Sequence, residues 1–97
     1  MHPAYLVMDT KLHDPELYEK YKQLAKPIVE CFGGEYLVRG GAVHIDQSDL
    51  WSPSRIVLMK FESVEVAKSF LSSEEYRPVK ALRLSASEAT VSIVEGL

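Results

Sequence analysis

This chain has almost no cysteine, no long apolar run and no large excess of charge of either sign. Each shortage excludes a class of protein. The single thiol, Cys31, cannot close an internal disulfide, which rules out a disulfide-stapled scaffold and fits a reducing compartment. At its helical position it reads as a small buried hydrophobe. The longest unbroken apolar stretch, Ala4 to Met8, falls far short of the roughly 20 residues that span a bilayer. The N-terminus shows no cationic region followed by a hydrophobic segment, so the expected location is cytoplasmic, with no membrane partner. A net charge of -3, with basic residues dispersed and not interleaved with aromatics, offers no field for a phosphate backbone, so nucleic acid is not an expected partner.

Motifs that carry chemistry are also scarce. Three histidines, His2, His13 and His44, lack an H-x-x-x-H spacing or a cysteine partner, and no metal site is expected from them. No serine elbow, carboxylate dyad or Cys–His arrangement supports hydrolysis. The glycine-rich stretch G-G-E-Y-L-V-R-G-G, Gly33 to Gly41, lacks the spacings of phosphate loops. A helix precedes it and a strand follows, so it offers no helix N-terminus to an anion. No cofactor is expected.

What remains is ordinary globular composition. Its 97 residues are 46% hydrophobic and 26% charged, which suits one compact domain over residues 1–97. Ala4 to Thr10 is short, rich in β-formers and apolar at consecutive positions, which predicts a strand buried on both faces. Asp14-Pro15-Glu16 is a helix start, combining an N-cap acceptor, a proline that needs no donor and an acid at the positive end of the dipole. Leu17, Tyr21, Leu24, Ile28 and Phe32, with Tyr18, Ala25 and Val29 beside them, draw an apolar stripe opposite the solvated Glu19, Lys20, Gln23 and Lys26. Pro27 removes one bond inside this helix and should bend it. Gly33 and Gly34 end it, one of them left-handed.

Glu35 to Arg39 is expected as the second strand, with Gly40 and Gly41 permitting a bulge before Ala42 to Asp46 continues it. Gln47 to Pro53 is a polar turn carrying Trp51. Ser54 to Glu62 is the third strand, again apolar on both faces between Ile56 and Met59. Ser63 caps a second helix with Val66, Ala67, Phe70 and Leu71 inside. Ser72-Ser73-Glu74-Glu75 repeats the signal as a capping box for a further helical piece holding Tyr76 and Leu82 despite Pro78. Ala89 to Glu95 closes the chain as a strand.

The order is βαββαβ with the second helix broken, an α+β, ferredoxin-like arrangement with a four-stranded antiparallel-type sheet. Both helices cover one face, and no residues remain to cover the other. Tyr5 and Val7 nonetheless oppose Leu6 and Met8, and Ile56 and Leu58 oppose Val57 and Met59. Leaving such side chains in water forgoes about 1.5–3 kcal/mol each, and a patch of that kind marks an interface. The simplest cover is a second copy, two sheets packing face to face in a two-fold homodimer.

The stretch G-G-E-Y-L-V-R-G-G resembles a family in company with several others. These are A-Y in the first strand, D-P-E with Tyr18 and Tyr21, R-I-V-L-M-K-F-E-S, S-E-E-Y, Leu82-Arg83 and the terminal V-E-G. In order and spacing, nearly end to end, they resemble the DUF1330 family of the dimeric α/β-barrel superfamily. The resemblance implies a ferredoxin-like monomer and a barrel-forming dimer, and it brings no reaction, because the family has no assigned function. Superfamily relatives include cofactor-independent monooxygenases, muconolactone isomerases and haem-degrading enzymes that bind small molecules between sheet and helices, a likeness of fold alone. Where the family tends to carry an acid and a glycine before a tryptophan, this chain has Gln47, Ser48, Asp49 and Leu50 before Trp51. If that acid serves a site in the family, the resemblance implies that Asp49 substitutes for it or that the function is altered here.

The candidate site residues are Arg39, Tyr18, Tyr21, His44, Trp51, Tyr76 and Arg83. Arg39 closes a strand with Leu37 on its face and can hold a carboxylate or enolate in a fork of hydrogen bonds; the alternative is an ion pair with Glu62 or Glu95. His44 and Asp46, two apart on an expected strand, project together as an oriented histidine, a pair of metal ligands or a solvated hairpin edge. The tyrosines are core residues with polar tips or general acids, and Arg83 complements a helix dipole or lines the site. Arg39, His44 and Tyr21 are the catalytic candidates. The functional readings are a small anionic or oxygenated organic ligand, turned over by a cofactor-independent isomerase or monooxygenase; a binding or sensing module without chemistry; and a purely structural dimer.

Overall fold

Asp14 decides where the first helix starts: its carboxylate accepts from the Leu17 backbone N–H at 3.1 Å, Pro15 takes the first helical position and Glu16 sits in the first turn. In the computed structural model, which describes residues 2–97, this helix, α1, runs Pro15–Cys31 and carries Pro27 without interruption. Its buried residues are Tyr18, Tyr21, Ala25 and Val29. The buried stripe is thus turned from the expected one: Leu24 is 43% exposed, while Leu17, Ile28 and Phe32 sit at the margin. Both rows have helical spacing, and the row bearing two tyrosines is the one that meets the sheet. Cys31 is exposed, contrary to its expected burial, because it lies off that row at the last helical position. Gly33 then takes φ +75°, the left-handed conformation that ends the helix.

Around α1 the chain forms β1 (Ala4–Leu12), β2 (Glu35–Arg39), β3 (Ile56–Phe61), α2 (Val64–Leu71), α3 (Arg77–Ala86) and β4 (Ser87–Glu95). All pairings are antiparallel and the strand order is β2-β3-β1-β4, the ferredoxin-like arrangement. Ser63 caps α2 by accepting from Val66 N at 3.2 Å. The expected capping box at Ser72 to Glu75 is realised in part. Ser73 Oγ accepts from the Tyr76 N–H, but only a turn forms there, so Tyr76 lies just before α3 and Pro78 sits within its first two positions.

The sheet has two different faces. Ala4, Leu6, Met8, Val57, Met59 and Phe61 are buried under the helices, while Tyr5, Val7, Ile56 and Leu58 lie half-buried on the other face, where no described element covers them. The expectation of burial on both faces therefore holds within this chain for one face only. No helix among the described residues is long and apolar enough to cross a membrane.

Two departures shape the site. The first is a bulge within β2, between Tyr36 and Val38, where Tyr36 pairs with Met59 but Val38 with Leu58 and Arg39 with Val57. Leu37 is the extra residue, so Arg39 shares the helix-side face with Tyr36, and Leu37 does not. The second is that Ala42 to Asp46 is not a strand. Gly40 bonds to Ile56 O at 2.8 Å and turns at φ +78°, after which residues 41–52 are exposed and unpaired until β3 begins.

Candidate functional site

The bulge at Leu37 aims Arg39 into a cleft between the sheet and α1, walled by Tyr18, Tyr21, Lys22, Tyr36, Arg55 and Met59. Arg39 Nη2 donates to the Lys22 carbonyl at 2.8 Å, and its guanidinium lies 4.6 Å from the centre of the Tyr36 ring. Arg55 mirrors it: Nη1 donates to the Tyr18 hydroxyl at 3.2 Å, with the guanidinium 4.9 Å from the Tyr18 ring. Neither guanidinium meets a carboxylate. Among the described residues the ion pairs are His13–Glu88, Lys22–Glu19 and Arg77–Glu74.

The alternative of an Arg39 pair with Glu62 or Glu95 is therefore not formed, and strand register gives the reason. Arg39 lies beside Val57, whereas Glu62 follows Phe61 and Glu95 pairs with Ala4, which faces Phe61. Five residues of extended strand put roughly 16 Å between them.

Arg55 owes its position to Gly40. A Cβ at Gly40 would stand 2.7 Å from Arg55 Nη2, so the glycine admits the guanidinium over the backbone as well as supplying the left-handed turn. The space left in the cleft is small, about 10 Å³, which is room for about one water.

Behind Tyr21 the polar contacts continue inward. Tyr21 Oη lies 2.8 Å from Tyr76 Oη, and Arg83 Nε donates to Tyr76 Oη at 3.3 Å. Tyr76 is fully buried and Arg83 is 5% exposed. Burial, with the neighbouring Tyr76, pushes the Tyr21 phenol far above its ordinary range; burial pushes Tyr36 up to about 12, against the opposing effect of Arg39. Both phenols stay protonated near neutrality, as donors and not bases. No Asp, Glu or His lines this cleft.

The sequence candidates thus divide. Arg39, Tyr18 and Tyr21 come together in the cleft, with Tyr76 and Arg83 as the layer behind Tyr21. Trp51 goes to the opposite face of the sheet, where its indole N–H donates to Asp9 at 2.7 Å. A separate depression of about 390 Å³ there is lined by Val7, Asp9, Trp51, Thr90 and Ser92. His44 lies exposed in the connection after Gly40, and with no strand there it and Asp46 share no sheet face. Asp49 accepts from the Gln47 side chain and does not touch Trp51's nitrogen. No group of three or more His, Cys, Asp or Glu placed to hold a metal occurs among the described residues.

Two residues that shape the surroundings of the cleft, one within it and one on the opposite face, were not singled out from sequence. Arg55 precedes Val57 by two, so strand alternation places it on the same face. Asp9, an acid within the apolar strand β1, accepts from Trp51 Nε1, Ser54 N and Arg55 N and so fastens the connection to β1.

The bond from Trp51, ahead of those from Ser54 and Arg55, holds the Asp9 carboxyl below its ordinary value of 3.8. A depressed folded-state pKa means that the clasp contributes fully above the ordinary value and is lost as pH falls through the lower, folded one. Fluorescence of Trp51, the single tryptophan, should therefore change on acidification below that value. In Asp9→Asn, which cannot titrate, that acid limb should be missing; identical profiles would contradict the clasp.

A family model described as a domain of unknown function, DUF1330, matches residues 3–97. No curated protein matches the chain significantly. Among solved structures, the RPA0582 protein of unknown function from Rhodopseudomonas palustris is similar at 16% identity and TM-score 0.79, over 99% of this chain and 83% of that one. SnoaB, a cofactor-independent oxygenase from Streptomyces nogalater, is similar at 12% identity and TM-score 0.68, over 97% of this chain and 92% of its own. An ethyl tert-butyl ether D family protein from Bacillus halodurans is similar at 12% identity and TM-score 0.58, over the whole of both chains. At these identities the likeness shows the fold alone.

Proposed function

The chain belongs to the DUF1330 family, whose description carries no activity, and we propose that it is a homodimer binding a small anionic or oxygenated organic molecule between sheet and helices. The observation that carries this reading is the pair Arg39 and Arg55. Two guanidinium groups face one cleft, each held by a neutral acceptor and neither by a carboxylate. Cations set among tyrosines and bonded to no carboxylate suit an anionic oxygen. Entry requires the guanidinium groups to swing from the Lys22 carbonyl and the Tyr18 hydroxyl onto the ligand.

Dimerisation draws support from the half-buried Tyr5, Val7, Ile56 and Leu58 on the sheet's other face and from exposed Val43, Ile45 and Leu50 in the connection. A cofactor-independent isomerase or monooxygenase is the chemical version of the proposal. SnoaB, similar in fold, is an oxygenase of that kind, and the absence of a carboxylate or imidazole from the cleft lining limits a protein-borne base. That same lining favours the version in which the cleft binds and does not catalyse. The one-water void favours a third reading, a structural dimer whose cleft is packing alone.

Thermal-shift measurements with acetate and benzoate, and with acetamide and benzamide as uncharged counterparts, separate the readings. Carboxylates at millimolar concentration should raise the melting temperature of the wild type and not of Arg39→Gln. The apo melting temperature of Arg39→Gln should stay within a few degrees, since a cation–π contact and one bond to a carbonyl are at stake. A large apo loss with no carboxylate effect on either protein would favour the structural reading. Turnover of a binding compound then divides enzyme from binder.

A further inference from the structure

The hydrogen bonds through Arg83, Tyr76 and Tyr21 form a chain whose buried end is a fixed donor. A guanidinium has donors and no acceptor, so Arg83 Nε–H donates to Tyr76 Oη. Tyr76 is fully buried, and the other hydrogen-bond partner of its hydroxyl among the described residues is Tyr21 Oη. Buried hydroxyl protons are rarely left unpaired. If Tyr21 donated to Tyr76, the Tyr76 proton would have no acceptor and would be turned toward a cation. Tyr76 therefore donates to Tyr21. Among the described residues the proton of Tyr21 is left without an acceptor, and Tyr21 forms part of the cleft wall beside Arg39 and Arg55.

We propose that Tyr21 is the neutral hydrogen-bond donor of the cleft, oriented by Arg83 through Tyr76, and that the site takes a carboxylate or enolate already ionised on arrival. This rests on the reading of the cleft as a ligand site. Tyr21 binds the ligand; Tyr76 and Arg83 are positioning residues. A chain of aligned donors polarises its last member, so a guanidinium at the buried end makes Tyr21 a better donor than an isolated phenol. Burial also keeps the phenol protonated, which removes Tyr21 as a base.

Calorimetric titration of the whole chain with benzoate and benzamide tests this. The wild type should prefer benzoate at least tenfold, and Tyr21→Phe, which keeps the ring, should lose about tenfold of benzoate affinity and none for benzamide. Arg83→Met should weaken benzoate several-fold and Arg83→Lys restore most of that. In wild-type protein carrying ¹³Cζ-tyrosine, benzoate should move the Tyr21 signal and leave Tyr5, on the other sheet face, in place. That measurement keeps the test open if a variant fails to fold. Equal benzoate affinity in wild type and Tyr21→Phe, an unmoved Tyr21 signal on binding, or equal affinities in the Met and Lys variants would overturn the donor role and leave the cleft reading standing. No benzoate binding to the wild type would overturn both.

Discussion

Tyr76→Ala should lower the unfolding free energy by about 3–5 kcal/mol, the range for removing a large buried aromatic ring. Stabilities of small domains are about 5–15 kcal/mol in total, so this variant should stand at the edge of folding. Tyr76 is fully buried, packs its ring 4.4 Å from that of Phe70 and meets Tyr21 edge-on at 6.4 Å. Its hydroxyl joins Arg83 to Tyr21. Truncation leaves both a cavity and a buried guanidinium without its acceptor. Tyr76→Phe separates the two effects: it keeps the ring and should cost about 1–3 kcal/mol, the penalty for an orphaned buried polar group. Urea unfolding of the two variants checks this; a loss below about 1 kcal/mol for Tyr76→Ala would contradict its central place in the core.

The second large effect concerns assembly. Val7 and Leu58 are cross-strand partners near the middle of the open sheet face. Asp at both should convert a dimer to a monomer, because two carboxylates would be taken out of water against apolar side chains at a cost of several kcal/mol each. Sedimentation should give the chain mass of 10.9 kDa for the double variant and twice that for the wild type. The core should survive, since Val7 and Leu58 point away from Leu6, Met8, Val57 and Met59. A folded, monomeric wild type at micromolar concentration would contradict the dimer.

Caps and periodicity were the most legible parts of the fold. Asp14-Pro15-Glu16 and Ser63 start helices where their side chains can satisfy free N–H groups, and Gly33 stops one where a left-handed residue is needed. These are local effects, decided within a few residues. The β2 bulge was not legible at its true place. Gly40 and Gly41 are the residues that most readily permit irregular backbone, yet the extra residue is Leu37, fixed by pairing with β3, which lies about 20 positions away in sequence. That one residue of register decides which face Arg39 takes. The buried row of α1 was a matter of tertiary contact in the same way, because Leu24 and Ala25 satisfy helical spacing equally and only docking on the sheet separates them.

At the site, Arg39, Tyr18 and Tyr21 were legible as polar groups ending or flanking apolar segments. Arg55 was within reach of the same alternation, through Val57. Trp51 and His44 are sequence candidates for the cleft, and both lie in the connection from Gly40 to β3. The turn at Gly40 and the Asp9 clasp take that connection elsewhere.

The sharpest measurement is an NMR titration that follows arginine Nε–H resonances of the wild type with benzoate and then benzamide. Benzoate should shift Arg39 and Arg55 together, leave the exposed Arg77 in place and saturate, while benzamide at the same concentrations shifts the cleft pair far less and leaves Arg77 in place. Shifts confined to Arg77, or equal responses to the acid and the amide, would contradict an anion site between sheet and helices.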